Sequence, residues 1–303
     1  IRTTHVLFNS PSNVDFIRDC VNGGANCNNT AAAGWNPNDD CWNHGTSTAA
    51  IIVGNDRLGN AYRGVTAITL DVWNTLSYDV PTGGCSGLSG TATVRAFQGA
   101  IAVFDRVIVG EIQAGGGENG AIALAADGAY DAGAVVVAAN GNYGPDPQSV
   151  ASPGLAHKVI GVGAYDVVSE AHQNYQGRGS APDGRYKPDL QAPTNTETAS
   201  NTSNNALRAF GGTSGATPYG AGAAALMRNW LIDHGAWDNG QVYSRMIISG
   251  PLDWPKYDNT SGTGHFRMPV NGHAWWGKVS VNHGTIINIP INIGPNRRDL
   301  EAA

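Results

Sequence analysis

Short apolar runs alternate with helical patterns of apolar residues along most of the chain. Buried strands are predicted at residues 5–8, 69–73, 107–112, 135–139 and 159–164, and helices at residues 43–53, 94–104 and 120–132. Residues 165–210 are polar and loop-like, and the pattern weakens after Asp233. Strands separated by helices form βαβ units, which build a parallel sheet covered on both faces. The pattern therefore predicts an α/β fold of three layers, with functional loops beyond the carboxyl ends of the strands.

Residues 212–218, GTSGATP, place a serine among small side chains just before a helical pattern. Apolar residues recur at helical spacing over residues 223–231, and proline is tolerated in the first turn of a helix. We therefore predict that a helix starts at Pro218, with Ser214 at or just before its N-terminus. Serine is a preferred N-cap, so the segment alone favours capping, and a catalytic serine needs partners.

Length and composition favour one large domain and argue against nucleic acids and membranes as partners. The 303 residues carry a net charge of −6 and only 14% charged side chains, which argues against nucleic-acid binding. No apolar run approaches the ~18 residues of a membrane span. Because no linker or repeat divides the chain, residues 1–290 are predicted to form one domain and residues 291–303 a frayed or artificial tail. Ile1 indicates a processed or trimmed start.

The four cysteines, Cys20, Cys27, Cys41 and Cys85, include no CxxC pair and so no obvious zinc or redox motif. Their clustering indicates two disulfides and an oxidising compartment, with four buried free thiols as the alternative. Of the three pairings that four cysteines allow, we predict Cys20–Cys27 together with Cys41–Cys85.

The fragment GGGENG at residues 115–120 contains GxGxxG between a predicted strand and a predicted helix. Dinucleotide-binding sites use this arrangement, but they also need an acidic residue about 20 positions further on to hold the ribose. Here the next strand runs into Asn140, Gly141 and Asn142, and the first carboxylate is Asp146. Nucleotide binding is therefore disfavoured, and the glycines indicate a close approach of another backbone.

A histidine begins the small-residue segment HGTSTAA at residues 44–50. A lone histidine is more often structural, but a serine nucleophile needs a base, and His44 is the histidine in a suitable setting. HGTSTAA, AANGNYG at 138–144 and GTSGATP resemble, in order, the histidine, oxyanion and serine motifs of the subtilisin-like serine proteases, or subtilases. The resemblance covers roughly residues 5 to 282. Ser214 does not lie in the GxSxG elbow of α/β-hydrolases, so that family is excluded. Sedolisins share a similar serine motif but have a glutamate in place of His44, so they are a distant alternative.

The resemblance implies a subtilisin-like three-layer fold and a serine endopeptidase with named roles. Ser214 would attack the scissile carbonyl, and His44 would take its proton and return it to the leaving amine. Asn142 would donate its side-chain amide to the oxyanion beside the Ser214 N–H, with Asn140 as the alternative that the motif spacing disfavours. A secreted monomer is implied that acts on peptides or proteins, with a propeptide that has been removed. No cofactor is required, and structural calcium is left open.

The family's aspartate ends the first strand, and aligning that strand with HVLFNSP puts Asn9 in its place, 35 residues before His44. A neutral amide cannot stabilise an imidazolium, so the alignment predicts a protease of low or no activity. Three explanations stay open: an engineered change, which we favour, a slow natural Ser–His dyad, or a peptide-binding pseudoprotease. Another carboxylate could take the place of the missing aspartate, but we give this little weight; the candidates are Asp15, Asp19, Asp39 and Asp40. Asp39 and Asp40 also form a weak candidate calcium site.

The same alignment predicts two walls of a pocket for the substrate residue before the cleaved bond. One wall consists of Glu111, Ile112, Gln113, Ala114 and Gly115, and the other of Ala151, Ser152 and Pro153, ending at Gly154. Ala151 at the base would leave room for a large apolar side chain. A charged Glu111 in the pocket would instead favour a basic side chain. We favour the alternative that Glu111 is a carboxylate at the rim of the pocket, in contact with water. Peptide ligation or macrocyclisation on the same acyl-enzyme remains an alternative activity.

Overall fold

A computed structural model describes residues 1–9, 12–27, 41–79, 84–235, 237–248 and 257–268, with a few positions between 282 and 288. The helices are α1 (His44–Val53), α2 (Gly90–Ala102), α3 (Ala121–Asp131), α4 (Gly212–Asp233) and α5 (Asn239–Ile248). The strands are β1 (Val14–Asp19), β2 (Leu70–Asn74), β3 (Leu76–Asp79), β4 (Gly84–Leu88), β5 (Val107–Gly110), β6 (Val135–Ala139), β7 (Ile160–Asp166), β8 (Leu190–Thr194), β9 (Thr196–Ala199) and β10 (Leu207–Phe210).

The central sheet is parallel, in the order β5-β6-β7-β8. Its strand β6 is a continuous run of valine and alanine that is buried on both faces, as is typical of a covered parallel sheet. Val135 and Val137 pack in one cluster with α4, whereas Val136 and Ala138 pack in another with α2 and α3. This alternation places helices on both faces of the sheet and confirms the predicted three-layer α/β fold.

A cavity of about 430 Å³ separates β2 from β5. Among the described strands, β1 and β2 form a parallel pair of their own, apart from the four strands of the central sheet. Both strands line the cavity together with apolar faces of α1, α2 and α4, represented by Ile52, Phe97 and Ala225. At the start of β2 and β5, the carboxyl groups of Asp71 and Asp105 are hydrogen-bonded to each other. Side chains, rather than a ladder of backbone hydrogen bonds, therefore join the two groups of strands.

Residues 5–8 do not form the predicted strand. Val6–Phe8 is one turn of 3-10 helix, capped by His5, whose Nδ1 accepts the Leu7 N–H at 3.2 Å. The other ring nitrogen of His5 lies 2.9 Å from the carbonyl oxygen of Ala206, and Leu7 and Phe8 are buried. The prediction was wrong because three apolar residues can be buried in a capped turn as well as in a strand, and the His5 cap satisfies the backbone locally.

Two further boundaries differ from the predictions. The helix expected to start at Pro218 starts six residues earlier, at Gly212, so Pro218 lies inside it. Residues 165–210, predicted to be loop-like, contain β8 and the antiparallel hairpin of β9 and β10. These strands are short and carry polar side chains, so their periodicity is weak in the sequence.

The predicted Cys20–Cys27 disulfide is present, and both cysteines are buried beside α2. Cys85 is also disulfide-bonded, but the side chain of Cys41 lies outside the described residues, so the second pair stays a prediction. Asp39, Asp40 and the predicted tail at 291–303 lie outside them too. In the part of the chain that is described, none of the helices combines the length and apolar character needed to span a bilayer.

Candidate active site

Ser214 is the third residue of α4, at the helix end where backbone N–H groups and the helix dipole favour negative charge. The helix opens at Gly212, whose φ of 77° suits glycine, and the Gly212 carbonyl accepts a hydrogen bond of 2.8 Å from Thr194 Oγ1. A Cβ at Gly215 would lie 2.6 Å from the same Thr194 oxygen. The small residues around Ser214 therefore follow from the close approach of β8 to this corner.

His44 is the first residue of α1 and is held by an unusual approach of the chain. Trp42 and Asn43 both have left-handed φ values, 58° and 60°, which are uncommon for residues with a side chain. Arg208 Nη1 donates to the Trp42 carbonyl at 3.0 Å, and Asn43 Nδ2 donates to Ser200 Oγ at 2.6 Å. The β9–β10 hairpin thus fixes the entry to α1, a role that sequence analysis missed because the contacts span more than 150 residues.

Asn142 carries an amide whose orientation is set by its neighbour across the cleft. Its Oδ1 accepts hydrogen bonds from Thr213 N at 2.9 Å and from Thr213 Oγ1 at 3.0 Å, which leaves Nδ2 to donate elsewhere. Its backbone N–H donates to Gln113 Oε1 at 2.8 Å. Asn140, the alternative, is fully buried and donates to the Gly177 carbonyl at 2.5 Å, which is a structural role. The role of Thr213 was missed, although it directly precedes Ser214.

One cleft of about 460 Å³ brings the predicted chemical groups together. Ser214, His44 and Asn142 line it with three residues of the predicted wall, Glu111, Ile112 and Gln113. The remaining lining residues are Trp42, Leu76, Leu88, Ala139, Tyr143, Phe210, Gly211 and Thr213. The His44 ring meets the Phe210 ring edge-on, with centroids 5.3 Å apart. A hydroxyl, an imidazole and an amide donor thus share one cleft, which is the set required for acyl transfer.

The two predicted pocket walls lie side by side. Ala114 and Ser152 exchange backbone hydrogen bonds of 2.9 Å in each direction, as an antiparallel bridge. Ala151 donates to the Asn140 carbonyl at 3.0 Å, and Pro153 approaches Gly110 so closely that a Cβ there would lie 2.9 Å from its ring. Gly115 is exposed just beyond the bridge. The pairing of the walls agrees with the alignment, and their part in substrate binding stays a prediction.

Asn9 does not lie beside His44 in this structure, so the geometry does not support its assignment to the aspartate position, which stays a prediction from the sequence. The Asn9 side chain donates to the Thr4 carbonyl at 3.2 Å, and its own carbonyl accepts from Asn55 Nδ2 at 3.1 Å. Asn55 follows the C-terminal end of α1, whereas His44 begins that helix. Ten helical residues span about 15 Å, far beyond a hydrogen bond. The alignment took residues 5–8 as the family's first strand, and the structure has a 3-10 turn at Val6–Phe8.

Glu111 is not the solvated rim carboxylate that sequence analysis favoured. Although the residue as a whole is partly exposed, Oε1 is buried without a hydrogen-bond partner in the described structure, and Oε2 lies 3.4 Å from Thr48 Oγ1. Burial raises the pKa of this carboxyl well above its ordinary value, against a weaker opposing effect of the hydroxyls of Thr48 and Thr217. A carboxyl group that is turned into the protein, where burial disfavours its charged form, gives no reason to expect a preference for basic substrates.

Within the described residues, one group of side chains has metal-ligand geometry: Glu118, His157 and Asp183. Arg185 lies among them, with Nη2 3.2 Å from the Glu118 carboxylate and Nε 2.5 Å from that of Asp183. A guanidinium therefore already supplies the positive charge, and the group is better described as an ion-pair network. It gives no support to the calcium site that the sequence left open.

Comparison with known proteins agrees with this fold. Solved structures with the same fold include a psychrophilic protease, at 23% identity and a TM-score of 0.69 over 88% of this chain and 85% of that one. Sphericase is 21% identical to this chain, with a TM-score of 0.64 over 88% of each chain. The prenylagaramide maturation protease PagA is 19% identical, with a TM-score of 0.66 over 88% of this chain and 87% of PagA. The family profile of the subtilases matches residues 1–250, most of the sequence, and the chain therefore belongs to the subtilase family.

Proposed function

We propose that the protein is a serine endopeptidase that hydrolyses peptide bonds through an acyl-enzyme on Ser214. The observation that carries this proposal is the cleft shared by Ser214, His44 and an Asn142 amide that Thr213 orients. Ser214 Oγ attacks the scissile carbonyl while His44 accepts the hydroxyl proton, and the carbonyl oxygen becomes an oxyanion that Asn142 Nδ2 and the Ser214 N–H stabilise. His44 then protonates the leaving amine, and water hydrolyses the acyl-enzyme by the same steps.

In this proposal the activity does not depend on Asn9, whose carbonyl accepts a hydrogen bond from Asn55 beyond the far end of α1. Asp19 is given no part in the proposal: its buried carboxylate accepts hydrogen bonds from Val21 N at 2.9 Å and Asn22 Nδ2 at 3.0 Å, and none of the ion pairs found among the described residues includes it. Asp15 is exposed on β1. With the serine, the base and the oxyanion donors in place, we expect hydrolysis faster than the ~10³–10⁴-fold over water that oxyanion stabilisation and binding alone supply.

The test is labelling with a fluorophosphonate, which reacts with an activated serine whatever the substrate preference. We expect one label, located on Ser214 by peptide mass spectrometry, that is absent in Ser214→Ala, strongly slowed in His44→Ala and unchanged in the exposed control Ser169→Ala. Hydrolysis of a mixed peptide pool should follow the same order. No labelling, or equal labelling of Ser214→Ala, would refute the proposal and favour a peptide-binding protein. Product masses in the presence of an added amine distinguish hydrolysis from peptide ligation.

A further inference from the structure

Trp42 presents a large apolar side chain to solvent inside the candidate active cleft. The residue is 62% exposed, although proteins usually bury most of a tryptophan. It lines the cleft together with His44 and Ser214, and it precedes His44 by two residues. Cα atoms two residues apart lie at most about 7 Å from each other, and an extended substrate advances about 3.4 Å per residue. The indole therefore borders the path of a substrate within a few residues of the bond that would be cleaved.

Hydrogen bonds hold the backbone that carries this indole. Trp42 has a left-handed φ of 58°, and its carbonyl accepts from Arg208 Nη1 at 3.0 Å. The next residue, Asn43, donates through Nδ2 to Ser200 Oγ at 2.6 Å and accepts the Asn201 N–H through Oδ1 at 2.5 Å. Backbone conformations of this kind persist where the surrounding structure enforces them, and they are common in binding sites. Because the backbone is ordered before a substrate arrives, only the two side-chain torsions of the tryptophan remain to be fixed on binding.

Two leucines extend the apolar surface that Trp42 begins. The 3-10 turn Cys41–Asn43 lies against β4. Leu88, at the end of β4, is paired with Leu76, at the start of β3, and both leucines line the cleft. An exposed aromatic ring beside further apolar side chains in a cleft is typical of a surface that binds an apolar group.

Fixed charge is scarce on the described lining of this cleft. His44 and Glu111 are the lining residues there that can be charged at neutral pH. The Glu111 carboxyl group is turned into the protein, where burial raises its pKa. A charged substrate side chain beside Trp42 would lose hydration without meeting an opposite charge on the lining, whereas an apolar side chain gains from leaving water. The lining therefore favours a large apolar side chain.

We propose that Trp42 is a specificity-determining residue, whose indole binds a large apolar side chain of the substrate together with Leu76 and Leu88. That side chain belongs to a residue within about three positions of the cleaved bond. The inference rests on the proposed function and names its substrate class, peptides with a residue such as leucine or phenylalanine at this position. Its residues differ from the predicted pocket walls at 111–115 and 151–154, so substitution can separate the two preferences.

The first test is a cleavage profile of the mixed peptide pool, with the cleaved bonds located by product mass. For the unmodified chain we expect large apolar residues to be enriched at one position within about three residues of the cleaved bond. Trp42→Ala should lose this enrichment and keep the preferences at other positions, and Trp42→Phe should retain most of it. Phe104→Ala is the matched control, because Phe104 is 70% exposed and lies outside the cleft lining. A profile of the unmodified chain without apolar enrichment would overturn the inference.

A matched pair of peptides, with phenylalanine or alanine at the position found, gives the magnitude. We expect kcat/KM of the unmodified chain to favour phenylalanine by about 10–100-fold, and the ratio to fall within about threefold in Trp42→Ala. Fluorophosphonate labelling of Ser214 should stay normal in that variant, since the probe carries no peptide residues. An unchanged ratio in Trp42→Ala would contradict the proposal. Labelling that slows as much as peptide cleavage would also contradict it, because Trp42 would then act only by supporting His44.

A binding measurement separates this inference from the proposed function. If the unmodified chain neither labels nor cleaves, the proposed function fails. Fluorescence anisotropy then compares two fluorescein-labelled alanine-rich peptides, one with a central phenylalanine and one without. Tighter binding of the phenylalanine peptide to the unmodified chain, lost in Trp42→Ala and kept in Phe104→Ala, would support the apolar site even without activity. Equal binding of the two peptides to the unmodified chain would refute it.

Discussion

Asp105 offers the sharpest test of the electrostatics around the cavity between β2 and β5. Its carboxyl group, just before β5, is hydrogen-bonded to that of Asp71 at the start of β2 and accepts the Trp73 indole N–H at 3.2 Å. Burial raises the pKa of Asp105 to about 7, and the hydrogen bond and negative charge of Asp71 add to the effect. At neutral pH this pair therefore retains a proton on about half of the folded molecules.

The sign of the pH dependence follows from this raised pKa. The folded state binds the proton more tightly than the unfolded state, so the stabilisation is complete below the unfolded value of 3.8 and is lost as pH rises to about 7. The difference between these values would correspond to about 4 kcal/mol for a fully buried group. Because Asp105 is partly exposed, solvent screening reduces the effect, and we expect about 1–2 kcal/mol.

Asp105→Asn removes the titration and keeps both contacts, since an amide donates to Asp71 and accepts from Trp73. Guanidinium unfolding between pH 4 and 8 measures the free energy of unfolding of both proteins. We expect the variant to gain stability relative to the unmodified chain as pH rises, reaching about 1–2 kcal/mol at pH 8. The exposed control Asp131→Asn should show no such trend. A difference between Asp105→Asn and the unmodified chain that stays constant from pH 4 to 8 would refute this account of the pair.

Two further predictions concern the oxyanion donor and a buried ion pair. Asn142→Ala should lower kcat by about 10²–10³-fold with little change in KM, because the donor acts mainly on the transition state. Asn142→Asp, which also lacks the amide donor, should lose kcat equally. A normal kcat in the alanine variant would contradict the role of Asn142 as an oxyanion donor. Lys187 Nζ lies 2.6 Å from the Asp189 carboxylate, and both are buried, so Lys187→Met should cost about 3–5 kcal/mol in chemical unfolding. The same change at exposed Lys158 should cost at most about 1 kcal/mol, and similar losses at the two sites would contradict the role of burial.

The accuracy of the sequence predictions followed the range of the interactions involved. The strand at 135–139 and the helix at 120–132 were predicted because continuous valine and alanine runs and helical periodicity are local signals. Strand β1 was missed, since VDFIRD carries three charged residues and its sides are only partly buried.

At the site, motifs located the groups but not their supports. Ser214, His44 and Asn142 were chosen from short segments of characteristic spacing, and the structure gathers them in one cleft. The link from Glu111 to Thr48 and the hydrogen bonds from Thr213 to Asn142 join segments 63 and 71 residues apart. No local pattern encodes such contacts, since they depend on how the layers pack.

The cavity between β2 and β5 has a consequence for pairing with other polypeptide segments. Both strands begin at the Asp71–Asp105 contact, and the chain beyond each reaches the cleft, at Leu76 and Ile112, so they run in the same direction. Each pairs with a described strand on one side only, which leaves a row of backbone donors and acceptors along the other. An ordinary sheet edge offers an incoming strand one such row. Here two rows border the same space, so an extended segment that paired with both would gain twice the hydrogen bonds and would end beside His44.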